Sequence, residues 1–196
     1  NEDTGAVHPY MFRVSFADSY QGSAMANFAF KELGIKEVAT IAGVDDLYAQ
    51  GILKYFTDEF KRLGGKIVNA QSYQTSDVEF RAQLSAIDNS GAKVLYSPAC
   101  EYKYATLIAK QAEQLGLEFT YLFPDGVYAP ELMETAGPQV EGAYLSTPMT
   151  DDAPEYADYK KAFDARHKKT GYKANIYAYY GMDGIMLLEW AVKKTK

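Results

Sequence analysis

The sequence predicts an α/β fold, a parallel sheet with helices on both faces, and three observations carry that prediction. Short runs rich in β-branched and aromatic residues alternate with amphipathic stretches of roughly 10 to 15 residues, the pattern of βαβ units. Glycine or Asn-Ser-Gly closes most of the amphipathic stretches. Acidic and hydroxyl residues often stand just before them, as helix caps do.

The elements follow in order. Met11 to Phe16 alternates apolar with polar residues and reads as a strand, after which Asp18-Ser19 offers a cap for a helix over Gln21 to Leu33 that Gly34 stops. Glu37 to Val44 is a strand, and Asp45-Asp46 caps a helix carrying Tyr48, Ile52, Phe56, Phe60 and Leu63 at three- and four-residue steps. Gly64-Gly65 ends it. Lys66 to Tyr73 is the next strand, with Thr75-Ser76-Asp77 as cap residues for a helix through Phe80, Leu84 and Ile87. Lys93 to Ser97 is a strand, Tyr104 to Leu115 a helix, Phe119 to Phe123 a strand, Pro130 to Ala136 a short helix and Val140 to Ser146 a strand.

Past Pro148 the alternation stops. Asp151-Asp152 precedes a polar helix, Tyr156 to Lys169, and Ile176 to Lys193 forms a more apolar one whose Ile185, Leu188 and Trp190 need a partner surface. Two consecutive helices leave the βαβ pattern unfinished, and the chain is expected to be truncated.

Composition narrows the function. The 196 residues are 47% hydrophobic and 23% charged, as in a folded globular protein, with seventeen tyrosines and no repeat unit. A net charge of −6 argues against a nucleic-acid partner, since phosphate contact needs clustered cations. The one basic cluster, Arg166-His167-Lys168-Lys169, falls late on a helix, where cations offset the dipole. A single cysteine, Cys100, excludes an internal disulfide and a multi-thiolate metal site, and reads as a small buried thiol. No apolar run is long enough to span a membrane as a helix, and the first residues lack the basic and apolar regions of a signal peptide.

Catalytic patterns fail in turn. There is no G-x-G-x-x-G, no P-loop and no G-x-S-x-G elbow, and the two histidines, His8 and His167, are badly placed for a triad. Asp45-Asp46 and Asp151-Asp152 are better explained as helix starts than as paired carboxylates. What remains is binding. Ligands in open α/β sheets sit outside the carboxyl ends of the strands, and residues 44–48, 98–102 and 124–127 all follow strands directly. Asp125, in the Pro124-Asp125-Gly126 turn, and Tyr48 are thereby expected to face one crevice, with turn formation alone as the competing explanation for Asp-Gly.

The ordered segments FRVSFADSYQGSAMANFAF, EVATIAGVDDLYAQGI, DVEFRAQLSAI, VLYSPA, QAEQLGL, FPDG, ELMETAG, VEGAYLSTP and YGMDGIMLLEWAV resemble the amino-acid-binding proteins of branched-chain ABC transporters. These are type I periplasmic binding proteins. The resemblance runs from about Phe12 onward. It implies two Rossmann-like lobes that close over a ligand, with residues 15–147 as the second lobe, residues 1–14 leading into the first crossing, and 148–196 as helices that pack on a first lobe otherwise absent.

The resemblance also implies roles. Tyr48 matches an aromatic that closes on the ligand side chain, Asp125 with Gly126 the acidic turn that holds its ammonium group, and Tyr177 an aromatic near the pocket mouth. The loop position that is aromatic in leucine-type binders falls on Glu101, with Tyr102 beside it, which puts leucine specificity in doubt. The Asp18 to Gly22 segment matches a hinge motif read as structural. The implied function is the extracytoplasmic solute-binding component of an ABC importer, without catalysis or cofactor and with a membrane permease as partner. A ligand-sensing domain of a receptor or transcriptional regulator with the same fold is the alternative.

Overall fold

The computed structural model describes residues 9–150 and 153–195. They fall into two compact units, one spanning Ala17–Thr147 and the other built from the segments on either side of it.

The unit 17–147 is a five-stranded parallel sheet in the order β2-β1-β3-β4-β5. Its strands are β1 (Glu37–Gly43), β2 (Lys66–Tyr73), β3 (Val94–Tyr96), β4 (Thr120–Phe123) and β5 (Tyr144–Leu145). Helices α1 (Asp18–Asn27) and α2 (Leu47–Arg62) cover one face, and α3 (Arg81–Asn89), α4 (Tyr102–Gln114) and α5 (Pro130–Ala136) the other. Strand alternation divides the core. Ala39, Ile41, Leu95, Tyr121 and Phe123 pack with Leu84, Ile87, Ile108 and Leu132, whereas Val38, Tyr96 and Leu122 pack with Met25, Ile52, Phe56 and Phe60. The interior strand β1 is buried on both sides and the edge strand β2 is not, so β1 carries VATIA and β2 carries Asn69 and Gln71.

Because the order reverses on either side of β1, the crevice at its carboxyl end is a topological switch point, which is where open sheets bind ligands. Close approach of α1 to α2 sets the entry to this region. A Cβ at Gly22 would lie 2.5 Å from the Ile52 carbonyl oxygen, so only glycine fits there.

Several boundaries differ from expectation. Residues 11–16 form no strand, because Met11 and Phe12 are exposed and no neighbouring ladder among the described residues pairs with them. Helix α1 starts at Asp18, which therefore sits in the first turn rather than capping it, and ends in a π-turn over Phe28–Glu32. Residues 75–77 do not cap α3. The Phe80 amide instead donates to Gln111 Oε1 at 2.6 Å and Gln111 Nε2 to the Val78 carbonyl at 2.8 Å, so α4 ties this segment down outside the helix until Arg81. The expected strand 140–146 shrinks to Tyr144–Leu145, since Gly137–Val140 is a 3-10 turn with Pro138 inside it. Cys100 is exposed rather than buried: it lies past the end of β3, in the loop at the sheet edge.

In the other unit, α6 (Ala157–Arg166) and α7 (Ile176–Lys194) pack through Tyr179, which stacks on Tyr156 with ring centroids 4.5 Å apart, while the Tyr156 hydroxyl donates to Asp183 at 2.8 Å. Asn175 caps α7 through the amides of Tyr177 and Ala178. Beyond its first turn α7 exposes Ile185, Met186, Leu188, Trp190 and Val192. No helix of the described residues is long and apolar enough to cross a membrane. The expected helix start at Asp151-Asp152, and His8, lie outside the described residues.

Candidate functional site

Three loops meet at the carboxyl edge of the sheet. Asp46 organises the first two: its Oδ1 caps α2 by accepting from the Ala49 amide at 3.0 Å, and its Oδ2 accepts from the Cys100 amide at 3.1 Å. One carboxylate thus caps a helix and ties the loop after β1 to the loop after β3. Asp45 is spent differently, accepting from the Thr75 amide at 2.9 Å and the Thr75 hydroxyl at 2.7 Å. Both acids of the pair are structural. The third loop is brought in at Gly126, where a Cβ would stand 2.5 Å from the Ala99 carbonyl oxygen and 3.0 Å from the Tyr48 ring. Glycine at that position lets the turn after β4 close against both neighbours.

The cap on α2 places Tyr48 in the first turn of that helix, facing the turn after β4. Its hydroxyl donates to Asp125 Oδ1 in a short hydrogen bond and accepts from the Gly126 amide at 3.2 Å. Burial, then the Asp125 hydrogen bond and its charge, push the Tyr48 phenol well above the usual tyrosine range, so it remains a donor. Gln21 Nε2 donates to the same Oδ1 at 2.8 Å, and also reaches the Ser146 hydroxyl at 3.1 Å and the Ser146 carbonyl at 3.2 Å. Among the described residues no lysine or arginine pairs with Asp125. The result is a half-buried carboxylate at the strand edge, oriented by two neutral donors and offset by no cation.

Tyr48, Asp125 and Gly126 are therefore together. Glu101 and Tyr102 lie in the middle loop of the same edge, but Glu101 is exposed and pairs with Lys103 at 3.1 Å, while Tyr102 opens α4 and packs against the core on the α3–α5 face. Neither hydrogen-bonds Tyr48 or Asp125. Tyr177 belongs to the other unit, on the first turn of α7, and is exposed. Local desolvation first, then the Asp46 hydrogen bond and charge, raise the Cys100 thiol to about 11, which disfavours its thiolate. Gln21 and Ser146 were not singled out by the sequence. Gln21 lies inside the Asp18 to Gly22 segment, which the resemblance marked as a hinge motif read as structural, and Ser146 had no signal beyond its place directly after β5.

A family model described as periplasmic binding protein matches residues 1–196, the whole chain. The chain belongs to the periplasmic binding protein family. Its relatives in the family include an amino acid binding protein of Pseudomonas aeruginosa, 30% identical over 91% of this chain and 47% of that protein. Another is a Leu/Ile/Val-binding protein homolog of Brucella suis, 26% identical over 93% of this chain and 48% of the other. Among solved structures, a leucine binding protein from Thermotoga maritima superposes with a TM-score of 0.80 at 32% identity, covering 92% of this chain and 51% of that one. The chain thus spans about half the length of the family members it matches, and its sheet unit is a type I lobe of that family.

Proposed function

We propose that this chain is part of an extracytoplasmic solute-binding protein that delivers an amino acid, or a similar small ligand bearing an ammonium group, to an ABC importer. The observation that carries the proposal is Asp125. A carboxylate held at the switch-point edge by Tyr48 and Gln21, without a cation of its own, is built to accept one. The Tyr48 ring beside it offers an aromatic face, and aromatic contact with a bound cation adds about 0.5 to 2 kcal/mol. Membership of the family and the names of the relatives favour transport without catalysis, with a membrane permease as partner and a periplasmic location. Glu101 and Tyr102 are assigned to the rim of the site, where they bear on side-chain selection, and Tyr177 to its mouth. The helical unit 148–196 is assigned to the first lobe, whose remaining part would cover α7.

The test is a thermal-shift and calorimetric screen of a protein spanning the full length of the relatives against amino acids, aromatic acids and amides, since a ligand raises apparent stability by mass action. Amino acids should bind and aromatic acids without an amine should not. Asp125→Asn should cost about 2–5 kcal/mol of affinity, the range for removing one partner of a desolvated charge pair, while leaving the melting temperature of the free protein nearly unchanged. If stability falls and affinity does not, Asp125 serves only the turn.

A further inference from the structure

Gln21 touches Asp125, Ser146 and Tyr48 through one amide, and it is only 2% exposed. Its position is fixed from behind by Gly22, which lets α1 sit directly on the Ile52 carbonyl of α2. From there its amide reaches two places of different meaning. One is Asp125 Oδ1, at 2.8 Å. The other is Ser146, whose hydroxyl and carbonyl lie at 3.1 and 3.2 Å, one residue before the unit ends at Thr147. Gln21 itself lies a few residues after the unit begins at Ala17. A single side chain therefore joins the candidate ligand carboxylate to both points where the chain passes into and out of the sheet unit.

The donor count makes this junction sensitive. A primary amide carries two N–H bonds, and Nε2 faces three acceptors, so the acceptors compete. The amide cannot turn over to relieve the competition, because its oxygen would then face the Asp125 carboxylate. Its Oε1 lies 3.3 Å from the Tyr48 hydroxyl, whose one proton goes to the nearer Asp125 oxygen. The amide is thus held in one orientation with its protons shared.

We propose that Gln21 is a positioning residue that couples the charge available on Asp125 to the exit segment Ser146-Thr147. When a ligand ammonium engages Asp125, the carboxylate draws less on Nε2, and the amide protons shift toward the Ser146 carbonyl and hydroxyl. This deepens the binding role assigned to Asp125 and takes its functional meaning from it, but the coupling itself is a property of the free chain. The other groups facing Asp125 are the Tyr48 phenol from α2 and the Tyr96 phenol from β3, both held neutral by burial and by the Asp125 charge.

The experiment needs no ligand. In the 196-residue chain, Asp125→Asn neutralises the carboxylate, and backbone amide NMR signals of Ser146 and Thr147 report on the exit segment. The expected result is that Asp125→Asn moves both signals when Gln21 is present. In Gln21→Met, of similar length without the amide, the same substitution should move them no more than it moves remote Gly91. Gln21→Asn, one methylene shorter and unable to span both partners, should lose the response in the same way and stands in if the Met variant does not fold. A response that persists without Gln21 would mean that the signal runs along the β4–β5 ladder, through the Ser146 amide bonded to the Phe123 carbonyl at 3.0 Å, and would overturn the proposal. So would a Ser146 signal indifferent to Asp125→Asn in the unmodified background. Neither outcome depends on whether amino acids bind, so failure here is distinguishable from failure of the transport reading.

Discussion

At the scale of single residues, two tyrosines of the same edge have opposite value to the fold. The Tyr48 hydroxyl gives its proton to a half-buried carboxylate and takes one from the Gly126 amide. Removing it leaves Asp125 with one fewer donor and Gly126 with an unmet N–H. Tyr48→Phe should cost about 1–3 kcal/mol, the penalty for orphaning buried partners. The Tyr96 hydroxyl is more deeply buried but has no protein partner. Its ring, stacked on Phe56 at 4.0 Å, is kept in phenylalanine. Tyr96→Phe therefore removes a polar atom without stranding another, and should change stability by less than about 1 kcal/mol in either direction. Chemical denaturation of the two variants checks the contrast, and equal losses would show that hydroxyl partnering is not what separates them.

At the scale of elements, the contact of α1 with α2 is a joint that leaves no room for a side chain at Gly22. Gly22 admits the Ile52 carbonyl and the Phe56 amide, and Asn27 Nδ2 donates to Glu59 at 2.6 Å farther along the same contact. Gly22→Ala puts a methyl group 2.5 Å from a backbone oxygen that cannot swing away. Overpacking of this kind costs about 1–3 kcal/mol, against the gain of up to about 1 kcal/mol that alanine brings to an exposed helix site. A net loss in denaturant midpoint is expected, and a net gain would show that the helices can separate freely. This joint also shows what was legible in the sequence. Periodicity placed Ile52, Phe56 and Phe60 on the buried face of α2, and the β-branched run of β1 marked a strand buried on both sides. Asp125 and Tyr48 could be brought together because strand order and loop position are enough to define an edge. Cap assignments failed where a distant side chain intervened, as Gln111 does for the segment before α3. The contacts of Gln21, within the segment read only as a structural hinge motif, were illegible for the same reason, since its partners lie 104 and 125 residues away and no local pattern encodes them.

At the scale of the whole molecule, the tyrosines set the alkaline limit of stability. Tyr48, Tyr73, Tyr96 and Tyr121 are all raised above the ordinary tyrosine value near 10, chiefly by burial, with nearby carboxylate charge adding to it at Tyr48, Tyr73 and Tyr96. Between that value and the higher one in the fold, the folded chain keeps protons that the unfolded chain releases. The stability these groups contribute is therefore fully present below about pH 10 and is lost as pH rises beyond it. Each such phenol steepens the loss by about 1.4 kcal/mol per pH unit, so four together bring unfolding on within a narrow span. In an alkaline titration, the tyrosinate absorbance of these four phenols should accordingly be held back until it rises together with loss of helical circular dichroism. A single smooth rise near pH 10 with the secondary structure intact would mean that the buried phenols reach water in the folded state, and the packing of Tyr96 and Tyr121 between the sheet and its covering helices would then be looser than the close-packed core requires.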